Sequence, residues 1–336
     1  MRRVITAFGA DFDVEPGYLN TPSVGIPPRH VVDAVRSWVD DWAAGRISAP
    51  AMDGPVDVTR AAFAALTGFP TTDVAVGSVV SGLLGPVAAS FPAGTRVLTA
   101  AGEFTSVSFP FAACGHEVTE VPVAAVGERA GDHDVVAVSV AQSADGTLVD
   151  LDALRGSGAV VVLDATQSLG WLPADLSWAD VVVAGGYKWL LSPRGCAWGA
   201  FSARALERVT PSAAGWYAGE DRWDAVYGLP LRLAGTARRL DVSPAWSAFA
   251  GAAVALPWLA GLDRAAVHAH GVRLADRLRT ALDLPPSSSP IVSIPGDPQR
   301  LLDAGVRCAA RAGATRVGLH LHNTDADVDL VLDALR

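Results

Sequence analysis

Seven short apolar runs constrain this chain more than any other feature. They are VAVG at 74–77, RVLTAA at 96–101, EVTEVPV at 117–123, DVVAVSV at 134–140, AVVVLDA at 159–165, VVVAGG at 181–186 and CAWGAFS at 196–202. Most are nearly continuous in valine, leucine and isoleucine rather than alternating. Such runs suit strands covered on both faces, so the expected fold is α/β, a mainly parallel seven-stranded sheet sandwiched by helices. The segments VVDAVRSWVDDWAAG and VDVTRAAFAALTG are helical in pattern and end in glycine, the residue that closes a helix in the left-handed region. YKWLLSPRG, between the sixth and seventh runs, is too short for a crossover helix, so the seventh strand is expected to run antiparallel.

The texture changes near residue 235. A long helical stretch over 244–282 precedes the breaker PPSSSPIVSIPGDP, then a short helix, a strand and a helix. The expected organisation is a large domain over 16–235, with 1–15 and 236–336 forming a smaller α+β domain. A formal charge of −9 gives no attraction to a phosphate backbone, which argues against nucleic acid. Three cysteines, at 114, 196 and 308, make no disulfide framework and fit a reducing cytoplasm. Asp11 interrupts the first apolar run, so no signal peptide is expected, and AFAGAAVALPWLAGL is too short and alanine-rich to span a membrane.

In open α/β sheets, ligands gather at the carboxyl ends of strands. Asp164 ends one run and Lys188 follows another. On neighbouring strands these would face one crevice roughly 5 Å apart in the sheet direction. An acid and an amine spanning an aromatic ring match the needs of pyridoxal phosphate. The amine forms a Schiff base with the aldehyde, and the acid keeps the ring nitrogen protonated. Gln167 is placed to bond the ring hydroxyl. Gly77 and Ser78 enter an apolar helix whose first N–H groups can hold a phosphate. Taken singly, each piece is ordinary: a loop lysine, a turn aspartate, a helix cap. Their order along the chain makes the case.

The stretch LDATQSLGWLPADLSWADVVVAGGYKWLLSPRG resembles the signature region of class V aminotransferases, fold-type I enzymes that include cysteine desulfurases, kynureninases and isopenicillin N epimerases. The likeness extends more weakly to YLNTPSVGIPP, ARRLDVSP and RVGLHLHNTDADVD. By that resemblance Lys188 is the Schiff-base lysine, Asp164 the ring-nitrogen partner and Gln167 the ring-oxygen contact. Ser78 and Val79 fall in the phosphate cup. Arg316 and Asn20 are placed at the substrate, with Arg316 gripping the α-carboxylate. Ser243 would reach a neighbouring subunit's phosphate, which implies a homodimer with its sites at the interface.

Four departures stand out. Glu103-Phe104 replaces a Glu-His pair, so Phe104 can stack on the cofactor but cannot move protons. Tyr187 stands where histidine is common, and its hydroxyl can still donate to phosphate. Gly185 replaces a serine and removes one phosphate donor. The nearest cysteine before Arg316 is Cys308, seven residues intervening in an expected strand, and it reads as a packed side chain rather than a nucleophile. Desulfuration through a persulfide is therefore disfavoured. The histidines at 268/270 and 320/322 lack acidic or cysteine partners at metal spacing, and DADVD at 325–329 reads as a capped helix start after Thr324. The chain has no G-x-S-x-G elbow, no P-loop and no G-x-G-x-x-G after the first strand.

The sequence therefore points to a pyridoxal-phosphate enzyme acting at Cα of an amino acid. Transamination is narrowly first, with β-elimination, as in carbon–sulfur lyases, close behind and epimerisation as a further fate. An inactive binding protein of the same fold is the competing class, motivated by the missing phosphate donors. The aromatic, charged loop over 216–230 is expected at the entrance.

Overall fold

The computed structural model describes residues 3–336. Met1 and Arg2, part of the segment assigned to the smaller domain, lie outside the described residues. The chain opens with a hairpin that the sequence reading did not anticipate, β1 (Arg3–Ala7) against β2 (Ala10–Val14). Phe12 on β2 is fully buried and anchors the hairpin to the main core. Two amphipathic helices follow, α1 (Arg29–Ala43) and α2 (Asp53–Thr67). Gly68 ends α2 at φ 84°, in the left-handed region expected of it.

All seven apolar runs form strands of one sheet. They are β3 (Val74–Gly77), β4 (Arg96–Ala100), β5 (Glu117–Val121), β6 (Val135–Ser139), β7 (Val160–Asp164), β8 (Val181–Gly185) and β9 (Ala197–Phe201). Their order is β3-β9-β8-β7-β6-β4-β5. Every pairing from β5 to β8 is parallel, and β9 runs antiparallel to both β8 and β3. The last four strands in sequence are buried along their whole length. Val182 and Ala184 face one apolar layer while Val181 and Val183 face the other, which is why these runs do not alternate. α3 (Val80–Ala89) follows β3, and α4 (Thr105–Ala113) follows β4.

β3 is an edge strand whose free side is closed by a buried ion pair. Asp241 accepts from the Val76 amide at 2.8 Å, and Arg60 donates to the Val74 carbonyl and, at 2.7 Å, to Asp241. The Val242 amide adds a bond to the Val76 carbonyl. This edge is thereby protected from pairing with another chain.

The stretch 244–282 is two helices rather than one. Trp246–Ala260 ends at Gly261, and Asp263 caps a new helix, Arg264–Ala281, through the Ala265 and Ala266 amides. The first packs on α1 and α2 within the main core. The second covers an antiparallel sheet of order β10-β12-β11, formed by Ile291–Pro295, Ala309–Arg311 and Ala314–Gly318. IVSIP, which sits inside the expected breaker, is β10, because Val292 and Ile294 fill a separate core with Val317, Leu274 and Val328 while Ile291 joins the main core. Cys308 immediately precedes β11 rather than lying within a strand, and packs in that core. Thr324 and Asp327 form a reciprocal capping box at the last helix, Asp325–Leu335.

Candidate active site

β7 and β8 are direct neighbours, with Asp164 in register with Val183. Their carboxyl ends open into a cleft of about 320 Å³. Lys188 and Asp164 line the same cleft, with Ser78, Val79, Phe104, Gln167 and Tyr187. Seven of the site residues expected from sequence therefore meet at one place.

The local fold shows why a lysine is tolerated there. Trp189, next in sequence, is fully buried, and its Nε1 donates to Gln167 Oε1 at 2.7 Å. It packs on Trp171 and, edge-on, on His320. That anchor fixes the turn and leaves Lys188 aimed into the cleft, its Nζ 5.0 Å from the Phe104 ring centroid and 5.7 Å from that of Tyr187. On the other side, the Gly25 amide donates to the Tyr187 carbonyl, and a Cβ at Gly25 would overlap the Lys188 carbonyl oxygen. Only glycine lets the N-terminal segment lie so close.

Burial tunes the two reactive groups. It draws the Lys188 amine down to about 8, against the opposing pull of Asp164; the nearby guanidiniums of Arg316, Arg311 and Arg194 push the same way as burial. Burial raises Asp164 to about 6, although the Thr166 hydrogen bonds and Lys188 oppose the rise. Asp164 Oδ1 accepts from the Thr166 amide at 2.8 Å, and Thr166 Oγ1 in turn accepts from the Gly185 amide, tying the ends of β7 and β8 together. Glu103, beside Phe104, is buried and accepts from Ser139 N and Oγ, Gln142 Nε2 and the Phe104 amide. That clasp positions Phe104, which remains exposed on its cleft face.

Arg316 lies on the central strand of the small sheet and is 1% exposed. Its Nη1 donates to the Ser143 carbonyl at 2.5 Å and to Ser143 Oγ at 3.2 Å; its Nη2 donates to Ser23 Oγ at 2.7 Å. Ser143 lines the cleft, so Arg316 stands directly behind its wall. Nε has no partner, and no ion pair neutralises the guanidinium among the described residues. Desolvation pulls its pKa down to about 10. Gln167 is already engaged: Nε2 donates to Pro22 O and Ser143 Oγ. Asn20 bridges Gly318 through its backbone, and its buried Oδ1 has no partner, but its side chain does not line the cleft. Ser243 is exposed and also lies outside the cleft of its own chain.

Several contributors were not picked out from the sequence. Thr166 lies between Asp164 and Gln167. Ser143 follows β6, so the strand-end rule applied to one more strand would have found it. Arg194 also lines the cleft. The clearest missed signal is a count: Lys188 is the only lysine in the chain, all 25 other basic residues being arginine. By contrast, the loop over 216–230 does not line the cleft. Tyr217 and Trp223 donate to Asp53 and Arg222 to Asp57, which binds the loop to α2 instead.

The histidines of the 320/322 pair are buried among aromatic rings. His320 accepts an edge-on contact from Trp189, His322 packs between Phe12 and Tyr18, and burial lowers both to about 3 and about 4, so they are neutral. Residues 320–322 form a turn rather than a strand, and no group of metal-ligating side chains occurs among the described residues.

The family model described as "Aminotransferase class-V" matches residues 88–300. The chain belongs to the class V aminotransferase family. As a class V enzyme it uses pyridoxal phosphate, and Asp164, Lys188 and the residues expected at the phosphate, Ser78 and Val79, share one cleft of suitable size, while Arg316 behind the wall has no counter-charge. These residues fit the cofactor. Among solved structures, the class V fold seen here is similar to a cysteine desulfurase, CsdA, from Escherichia coli, with TM-score 0.81 and 18% identity over 95% of this chain and 94% of that one. It is similar to the cysteine desulfurase of Thermococcus onnurineus, with TM-score 0.81 and 17% identity over 95% and 94%. It is also similar to the cystine C-S lyase C-DES, with TM-score 0.83 and 18% identity over 96% and 97%. No curated protein matches the chain in sequence. Among the described residues, no helix of this class V chain is long and apolar enough to cross a membrane.

Proposed function

We propose that this enzyme acts at Cα of an α-amino acid and expels a substituent from Cβ, a β-elimination. The observation that carries the reading is Arg316, a buried guanidinium with neutral partners only, behind Ser143 in the wall of the cleft that holds the only lysine. A carboxylate is the partner such a fork lacks, and a bidentate grip would orient Cα toward the cleft. When bound, pyridoxal phosphate supplies the electron sink that makes the Cα–H bond acidic. Asp164 would hold the ring nitrogen's proton. Lys188 Nζ, with its lowered pKa, receives the proton from Cα. The Cβ–X bond then breaks with its electron pair leaving on X, and the three-carbon remainder hydrolyses to pyruvate and ammonia.

Elimination gains over transamination, the sequence's narrow first choice, because it needs no second substrate in the same cleft. Glu103 is occupied by its four donors and Phe104 carries no acid, so Lys188 acts alone. In elimination it takes the proton from Cα and can hand it to the departing X, with no second substrate needed. Transamination asks it to redeliver that proton and then to accept a keto acid. The likeness to a cystine C-S lyase supports the same choice. A protein persulfide has no candidate nucleophile: Cys308 and Cys196 are buried with their thiols pushed up by desolvation, and no cysteine lines the cleft. We further infer a homodimer, since Ser243 is exposed and away from its own cleft.

The test is to incubate holoenzyme with a panel of β-substituted amino acids, with and without keto acids. Pyruvate and ammonia formed without a keto acid are expected. Strict dependence on a keto acid, with a new amino acid formed in equal amount, would show transamination instead. A preparation that stays colourless after cofactor is added would revive the binding-protein reading.

A further inference from the structure

We propose that Arg194 is a ligand of the cofactor's phosphate group, the one permanent cation that the cleft sets against that dianion. The proposal rests on the pyridoxal-phosphate reading and assigns a residue that neither the motifs nor the resemblance singled out.

The cleft's charged side chains are few. Lys188, Arg194 and Asp164 line it. Lys188 is committed to the covalent link and Asp164 to the ring nitrogen. Arg316 stands behind Ser143, suited to the substrate carboxylate. The remaining polar lining near α3 and α4 comes from neutral hydroxyls, among them Ser78, Ser81 and Ser106. The start of α3 adds free N–H groups and a partial positive charge. A dianion held by these alone would lack a full counter-charge in a partly desolvated site.

Arg194 is built to supply it. It sits in the turn from the lysine loop into β9, and that turn is clamped. The Gly186 amide donates to the Cys196 carbonyl, and the Ser192 amide donates to the Gly186 carbonyl. The guanidinium carbon lies 5.0 Å from the Tyr187 ring centroid. Tyr187 in turn packs over Gly185, its ring 3.5 Å from where a Cβ there would stand. Gly185, Tyr187 and Arg194 thus form one continuous wall. The serine hydroxyl absent at Gly185 is replaced along that wall by an aromatic plate carrying a guanidinium. Among the described residues, Arg194 makes no ion pair and no hydrogen bond; the ring of Tyr187 is its only contact of those kinds. It also raises the cost of charging Lys188, a cost an anion would relieve. Arg194 is exposed, so water can solvate it when the cleft is empty; its place in the cleft wall against Tyr187 is what sets it toward an anion bound there.

The experiment compares apo wild type, Arg194→Met and Arg194→Lys. Each is titrated with pyridoxal 5′-phosphate and with pyridoxal, which lacks the phosphate, following visible absorbance of the lysine adduct. Loss of a charge-assisted bond predicts that Arg194→Met weakens pyridoxal 5′-phosphate roughly 10- to 100-fold and pyridoxal less than about twofold. Arg194→Lys should recover part of the loss. Inorganic phosphate should raise the melting temperature of the apo wild type and do so less in Arg194→Met. Equal weakening of both aldehydes, or none of either, overturns the assignment. If wild type captures neither aldehyde, the cofactor reading itself falls, and this proposal with it.

Discussion

The lowered basicity of Lys188 makes a quantitative prediction about cofactor capture. Only the neutral amine attacks an aldehyde. An ordinary lysine at 10.5 is neutral in about one molecule in a thousand at pH 7.5, whereas one at about 8 is neutral in about one in four. The apo protein should therefore present a neutral amine ~200 times more often than a solvated lysine. Stopped-flow absorbance after mixing with pyridoxal 5′-phosphate, repeated from pH 6 to pH 10.5, should give a capture rate that climbs and then levels with a midpoint near 8. The perturbation is Asp164→Asn. Because the Asp164 carboxylate favours the charged amine, its removal should move that midpoint down, not up. A wild-type midpoint above 10 would refute the idea that burial controls this group, and an upward shift in Asp164→Asn would refute the pairing.

Three other outcomes follow from the geometry. Gly25→Ala should drive a methyl group into the Lys188 carbonyl, lowering stability by about 1–3 kcal/mol and reducing the lysine-adduct absorbance, read by chemical denaturation and by spectrum. Arg316→Lys keeps the charge but loses the fork held by Ser143 and Ser23, so KM should rise roughly 10- to 100-fold while kcat changes less. Asp241→Asn leaves Arg60 only the more distant and more exposed Asp57 and loosens the edge of β3, which should cost about 3 kcal/mol in urea unfolding, whereas Arg60→Met with Asp241→Leu should cost less than the single change.

Much of the fold was legible because the informative side chains face nothing but one another. Strands β6 to β9 are covered on both faces, so valine runs recorded their burial directly. The short YKWLLSPRG link fixed the direction of β9 by length alone. The hairpin β1–β2 and strand β10 were not legible, because each is short and owes its burial to distant partners: Phe12 meets Trp258, and Ile294 joins a core with Val317 and Leu274. The site showed the same division. Asp164 and Lys188 are read from adjacent strand ends. Ser143 and Ser23 become partners of Arg316 only after the chain has brought residues 173 and 293 positions apart together.

A protein with one lysine, 5% exposed at the base of a cleft, has almost no primary amine to offer its surroundings. Succinimidyl esters, isothiocyanates and glutaraldehyde should find no exposed lysine side chain on its surface. Acylation at that single ε-amine should report access to the cleft, and bound cofactor should stop it.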